Sequence, residues 1–216
     1  TISRAIFLLG FDTIKASAMA TLLVDGFKDH KQAQSVRKEL VQALCASVAA
    51  REIARRNRHP KSEEAAVAAL FKNIGRILVA AFDHPLYEKI LNLSSSDPVQ
   101  TNEICNQLLG CSFERFGQSV LYDWKIPDSI IFALQPIYGH AKKTLQDSEW
   151  IKQVATFSEE LAIVMVQSTP GEISIEQGCE QLVKRFGSAL DFNATQLEEV
   201  FKNVDKEARQ LAITLE

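Results

Sequence analysis

Apolar positions recur along this chain at spacings of three and four almost throughout, the pattern of helices that bury one face, and no stretch reads convincingly as a strand. Ser3–Leu9 forms a first segment that Gly10 stops. Asp12 then caps a helix over Thr13–Phe27, with Ile14, Ala18, Leu22 and Leu23 on one face. After a polar bend, a long helix over Gln34–Arg56 carries Val36, Leu40, Leu44, Val48 and Ile53, and Asn57-Arg58-His59-Pro60 ends it. Ser62 caps a further helix, Glu63–Phe82, whose acidic first turn suits the macrodipole and which holds Lys72-Asn73 at mid-length.

Pro85 and Pro98 suit first turns, predicting helices over Pro85–Leu93 and Pro98–Leu109, the second closed by Gly110. Ser112 starts a helix to Trp124, Ile126-Pro127-Asp128 starts another to Leu134, and Gln135-Pro136 breaks it. The pattern resumes over Trp150–Gln167 and Ser174–Phe186. A final helix opens on a capping-box-like Asn193 and Gln196, and its Leu197, Phe201, Val204, Ala208, Leu211 and Leu215 alternate by four and three. The fold class is all-α, a compact multi-helix bundle over 1–146 with an additional C-terminal helical segment over 147–216. That segment packs on the core or forms a homodimer through its seam.

Composition narrows the picture. A chain of 216 residues, 46% apolar with net charge −3, supports a sizeable core and argues against a dedicated nucleic-acid or anionic-membrane binder. The basic run Arg51, Arg55, Arg56, Arg58, His59 and Lys61 falls at a helix C-terminus, where cations complement the dipole. Cys45, Cys105, Cys111 and Cys179 form no CxxC pair and no metal-finger spacing, which suits a reducing cytoplasm. Ala65–Phe71, Ile77–Phe82 and Leu161–Val166 are each too short to span a bilayer. The chain opens on Thr1 and runs straight into helical pattern, so a fragment of something longer is expected.

Four separate pieces carry a resemblance: Ile2-Ser3-Arg4-Ala5-Ile6-Phe7-Leu8-Leu9-Gly10, Ala69–Arg76, Leu109-Gly110 and Trp124-Lys125-Ile126-Pro127. In this order, over residues 1 to about 140, the chain resembles the bacterial HDOD domain, a helical relative of the metal-dependent HD phosphohydrolases. The resemblance implies an HD-like bundle truncated at its N-terminus and a signalling or regulatory output role, often in company with an attached sensor or effector domain. It implies no cofactor and no catalysis.

The same resemblance locates the positions where HD enzymes place metal ligands. Lys72-Asn73 stands where a His-Asp pair would be, Gln42 and Phe113 where histidines are common, and Ile137-Tyr138 where a double histidine follows the tryptophan, with His140 close by. A divalent metal that activates water needs several N or O donors, and neither an ammonium nor a carboxamide replaces them. The leading expectation is therefore a noncatalytic module acting on an unidentified signalling protein. The alternative is a metal-dependent phosphohydrolase or cyclic-dinucleotide phosphodiesterase with a relocated site. Lys72 with Arg76 one turn on forms a candidate anion site, with Ala65, Ala68, Ala69 and Gly75 leaving room beside it, while a lysine that snorkels or pairs with a carboxylate is the plainer expectation. His30, His59, His84 and His140 show no i, i+4 pairing and no adjacent acidic partner and read as loop or surface histidines.

Overall fold

The computed structural model describes residues 29–94, 98–167 and 175–214, and every regular element among them is a helix. In chain order these are α1 His30–Arg56, α2 Ser62–Phe71, α3 Ile74–Phe82, α4 His84–Ser94, α5 Pro98–Leu108, α6 Phe113–Asp123, α7 Asp128–Ala133, α8 Asp147–Gln167, α9 Ile175–Phe186 and α10 Ala194–Thr214. The helices predicted over Ser3–Leu9 and Thr13–Phe27 lie outside the described residues.

Caps set several of the boundaries, although Ser62, expected to cap α2, lies inside it and Lys61 takes the N-cap position with no side-chain bond. The Asp29 side chain accepts from the Lys31 amide at 2.8 Å and starts α1 four residues before the predicted Gln34. Ser112 Oγ accepts from the Arg115 amide at 3.3 Å, and Gly110 takes a φ of +84°, closing α5 and opening α6 as their residue types demand. At α10 the Asn193 and Gln196 side chains exchange bonds with each other's amides, both at 3.0 Å, forming the reciprocal box their spacing predicted.

One predicted helix is two. The run expected over Glu63–Phe82 breaks at Lys72-Asn73, where Asn73 takes φ −102° and ψ 19°. Its amide group is drawn to Glu39 of α1, donating to that residue's carbonyl at 2.9 Å and to its carboxylate at 3.0 Å. A side chain with a partner outside its own helix competes with the helical ladder, and here the competitor prevails. Taken together, Ser62–Phe82 does have the length and composition of a membrane span, against the expectation that no run approached one. Yet 83% of its apolar window is buried inside the fold, as in the core helix of a globular protein.

The core is built around α1 and α8. Val36, Leu40, Ala43, Ala50, Ile53 and Ala54 line the buried side of α1, and α2 adds Ala65, Ala66, Ala68 and Ala69, small residues that let helix axes approach closely. Against Ala50, Ile53 and Ala54 of α1 and Ala65, Ala68 and Ala69 of α2, α8 lays Trp150, Ile151, Val154, Ala155, Phe157 and Leu161. Phe157 meets Phe186 edge-on at 5.9 Å and Phe192 at 4.9 Å, tying α8 to α9 and the turn that follows it. Residues on both sides of position 146 thus share one core. A second cluster, formed by the first half of α1 with α3, α4, α5 and the start of α6, includes Ile77, Val79, Tyr87, Ile90, Cys105 and Phe113.

The α10 seam is divided. Leu197 and Val204 are buried with Val200 in the main core, Phe201 is half-buried against it, Arg56 of α1 pairs with Glu199 at 2.7 Å, and Asn203 donates to Glu52 at 3.1 Å. The side chains of Ala208 and Leu211, and Leu215 itself, lie outside the described residues. Leu197→Ala is expected to cost about 3 kcal/mol in a denaturant titration, the usual loss for a buried leucine, with no change in elution volume.

Candidate functional site

Lys72-Asn73 is a buried polar junction. Lys72 and Asn73 sit between α2 and α3 at 4% and 3% exposure, and Gln42 on α1 is buried as well. Asn73 and Arg76 turn toward Glu39, whereas Lys72 reaches the other way, across to the end of α7.

Glu39 is the centre of the first group. Arg76 donates to its Oε1 through Nε at 3.0 Å and Nη2 at 2.9 Å, Tyr87 donates to the same oxygen at 2.5 Å, and Asn73 donates to Oε2. The guanidinium also lies over the Phe113 ring, 5.5 Å from its centroid, so Phe113 supplies a π face where the resemblance placed a histidine. Burial alone would push the Glu39 carboxyl up, but the Arg76 charge and the three donors hold it below the ordinary carboxylate range. By the same logic burial and the Glu39 charge push the Tyr87 phenol well up, so it remains a hydrogen-bond donor.

Lys72 forms the second group. Its ammonium donates to the carbonyls of Ala133 at 2.8 Å and Gln135 at 3.0 Å. Burial pulls its pKa down, and the carboxylates of Glu159, Glu114 and Glu160 pull the other way. Glu159, partly buried on α8, is pushed up to about 7 by burial, against the pull of the Lys72 charge. Lys72 and Arg76 therefore do not combine as the expected anion site: each already meets protein acceptors, and an incoming phosphate would have to displace a carboxylate or two carbonyls.

The remaining expected positions are scattered. Ile137 and Tyr138 lie in the segment between α7 and α8, Ile137 half-buried and Tyr138 exposed, and neighbouring His140 meets the Lys184 carbonyl through Nδ1 at 3.0 Å. Two histidines read as loop or surface residues meet acids in the fold: His59 stacks on Trp150 at 3.6 Å and lies 3.7 Å from Asp147, and His84 lies 3.7 Å from Glu88, one turn on. Half of the basic run is internally paired, Arg51 with Glu63, Arg56 with Glu52 and Glu199, and Lys61 with Glu64. Among the described residues, no group of three or more His, Cys, Asp or Glu side chains is gathered as a metal ion would require.

Glu39, Tyr87 and Glu159 were missed by sequence reasoning. The available signal was position for Glu39, which falls inside the Val36–Ala43 apolar stripe, whereas Glu159, between Ser158 and Glu160, carried none.

The architecture and this junction define an all-α bundle in which a buried Glu39–Arg76 pair joins α1 to α3 and the Arg76 guanidinium lies over Phe113 of α6. The chain belongs to the HDOD domain family, whose profile matches residues 1–139. Its fold is similar to the MmoQ response regulator of Methylococcus capsulatus str. Bath, with a TM-score of 0.61 and 16% identity over 92% of this chain and 74% of that one. It is also similar to a protein named for signal transduction from Marinobacter aquaeolei VT8, with a TM-score of 0.59 and 19% identity over 96% of this chain and 45% of that one. The chain thus spans about three quarters of the first and under half of the second. No curated protein matches the sequence.

Proposed function

We propose that this chain is a noncatalytic signalling module of the HDOD family, in which the position of an HD metal is degenerate and an internal ammonium stands in its place. The observation that carries the reading is the pair of bonds from Lys72 to the Ala133 and Gln135 carbonyls. Oxygen atoms gathered around a buried positive centre are what a metal would otherwise organise, and here a fixed side-chain charge organises them. Such a centre holds architecture, but it offers no open coordination position for water. Output then passes through protein surface to a signalling partner or an attached sensor or effector domain. The four cysteines are free, with Cys45 and Cys105 buried, which suits a cytoplasmic setting.

The test combines elemental analysis of the purified full chain with a cyclic-dinucleotide phosphodiesterase assay and calorimetry against the same nucleotides. Substoichiometric iron, manganese and magnesium, no turnover, and no binding heat in either the parent or Lys72→Ala are expected. A stoichiometric metal with turnover would replace this reading with the phosphohydrolase one. Binding heat that Lys72→Ala abolishes would restore a small anionic ligand.

A further inference from the structure

An open cleft of about 740 Å3 lies where the start of α2, the turn into α7 and the start of α8 come together. That is the size of a ligand site. Ile130 and Ile151, both buried in the main core, form its apolar floor, while Pro127 and Leu145 stand exposed at its edge. Leu145 is fully exposed, more so than any other large apolar side chain among the described residues, and belongs to neither core cluster. It serves no packing within the fold.

The titratable side chains lining the cleft are Lys61, Glu64 and Asp147, and one negative charge is left over. Lys61 donates to Glu64 at 2.6 Å, which closes that pair, although its charge is also felt by Asp147. Among the described residues, Asp147 has only His59 within ion-pair distance, 3.7 Å away through Nε2. That imidazole is no countercharge. Its Nδ1 accepts from the Lys61 amide at 3.2 Å, a bond that a proton there would destroy, and burial pulls its pKa below the ordinary value. The hydroxyls of Ser129 and Ser148 make no hydrogen bond within the described protein, so they are open to the amides and carbonyls of another chain.

We propose that this cleft docks an extended protein segment in which an arginine or lysine stands beside an apolar residue, the cation meeting Asp147 and the apolar side chain lying between Leu145 and Pro127. The proposal rests on the reading of this chain as a signalling module and names where its partner binds. An unmatched carboxylate beside apolar surface repels phosphates and nucleic acids and attracts a cation that carries apolar neighbours. A cleft this open buries too little of a small molecule to hold it, whereas an extended segment crosses it and uses the two hydroxyls on the way.

Random heptapeptides displayed on phage, panned on the immobilised full chain and counter-selected on a variant carrying both Leu145→Ser and Asp147→Asn, test this directly. Enriched sequences are expected to place an arginine or lysine next to an apolar residue. A synthetic peptide of the consensus is then expected to shift the amide resonances of Ser129, Leu145, Asp147 and Ser148 in the 15N-labelled chain, with affinity falling roughly fivefold in each single variant. Circular dichroism equal to the parent's is expected for both variants, since Leu145 is outside the core and Asp147 is exposed. No enrichment, consensus sequences without a basic residue, unchanged affinity in both variants, or shifts on another face would each overturn the docking site. Shifts at the cleft that follow protein concentration with no peptide present would put a second copy of the chain there and overturn it as well. None of these outcomes alters the metal and turnover measurements, so failure of the cleft is distinguishable from failure of the signalling reading.

Discussion

Gly75→Ala is expected to destabilise the fold by about 4 kcal/mol or more, among the largest effects a single added methyl can have. A Cβ built at Gly75 falls 2.0 Å from the Phe113 carbonyl oxygen and 2.8 Å from its carbonyl carbon, and 3.2 Å from the Gly117 amide nitrogen. All three are main-chain atoms, so no rotamer change relieves the overlap. The only response is to move α3 and α6 apart, and α6 carries Gly117 at the crossing, where a Cβ would in turn meet Ile74 at 2.9 Å. Separation would lift Phe113 from the Arg76 guanidinium and disturb Ile74 and Leu134 in the core. Chemical denaturation with far-UV detection gives the loss directly. Gly75→Ala within 1 kcal/mol of the parent, roughly the helix-propensity scale, would show that this crossing is looser than drawn. Gly110→Ala makes a useful comparison: nothing lies within 4 Å of its Cβ, so only the backbone conformation at φ +84° is penalised.

The helices and their ends were largely legible because the forces that set them are local. Ser112, Gly110, Asn193 and Gln196 each satisfy or replace a helix-terminal bond within a few residues of themselves, and all act where their types predict. The break at Lys72-Asn73 was hidden because Ala65–Phe71 is apolar on every side, and a uniformly apolar run carries no periodic mark of where it stops. What breaks it is Glu39, 34 positions upstream. The candidate site failed to show for a related reason. A glutamate in sequence is by default a surface residue, and Glu39 and Glu159 acquire their roles only when distant cations are folded against them. The centrality of α8 had the same origin: the stripe Trp150, Val154, Phe157 and Leu161 was readable, but its partner on α1 and α2 was not. The positions the resemblance assigned to histidines could be named from the sequence, whereas the carbonyls that Lys72 holds could not.

Arg76→Met is expected to cost about 4 kcal/mol at neutral pH, since it leaves the Glu39 carboxylate buried with only Tyr87 and Asn73 as donors. The pH dependence distinguishes this cause from lost packing. In the parent, the Glu39 pKa is depressed below its ordinary value of 4.5, so the folded state binds fewer protons than the unfolded one as pH falls past that value. Its contribution is therefore complete above 4.5 and disappears as pH drops through the folded value. Without Arg76, burial acts on Glu39 unopposed by the guanidinium and raises the folded pKa instead. The sign then reverses: the variant's folded state holds a proton that its unfolded state has released, and stability falls as pH rises above the ordinary carboxylate range. The gap between parent and variant should accordingly be widest near neutral pH and narrow on acidification. Adding Glu39→Gln to Arg76→Met should recover a large part of the loss at neutral pH, because the double variant buries no unpaired charge. A gap that is constant from acid to neutral pH, with no recovery in the double variant, would mean that Arg76 acts through its contact with Phe113 and its packed stem rather than through Glu39.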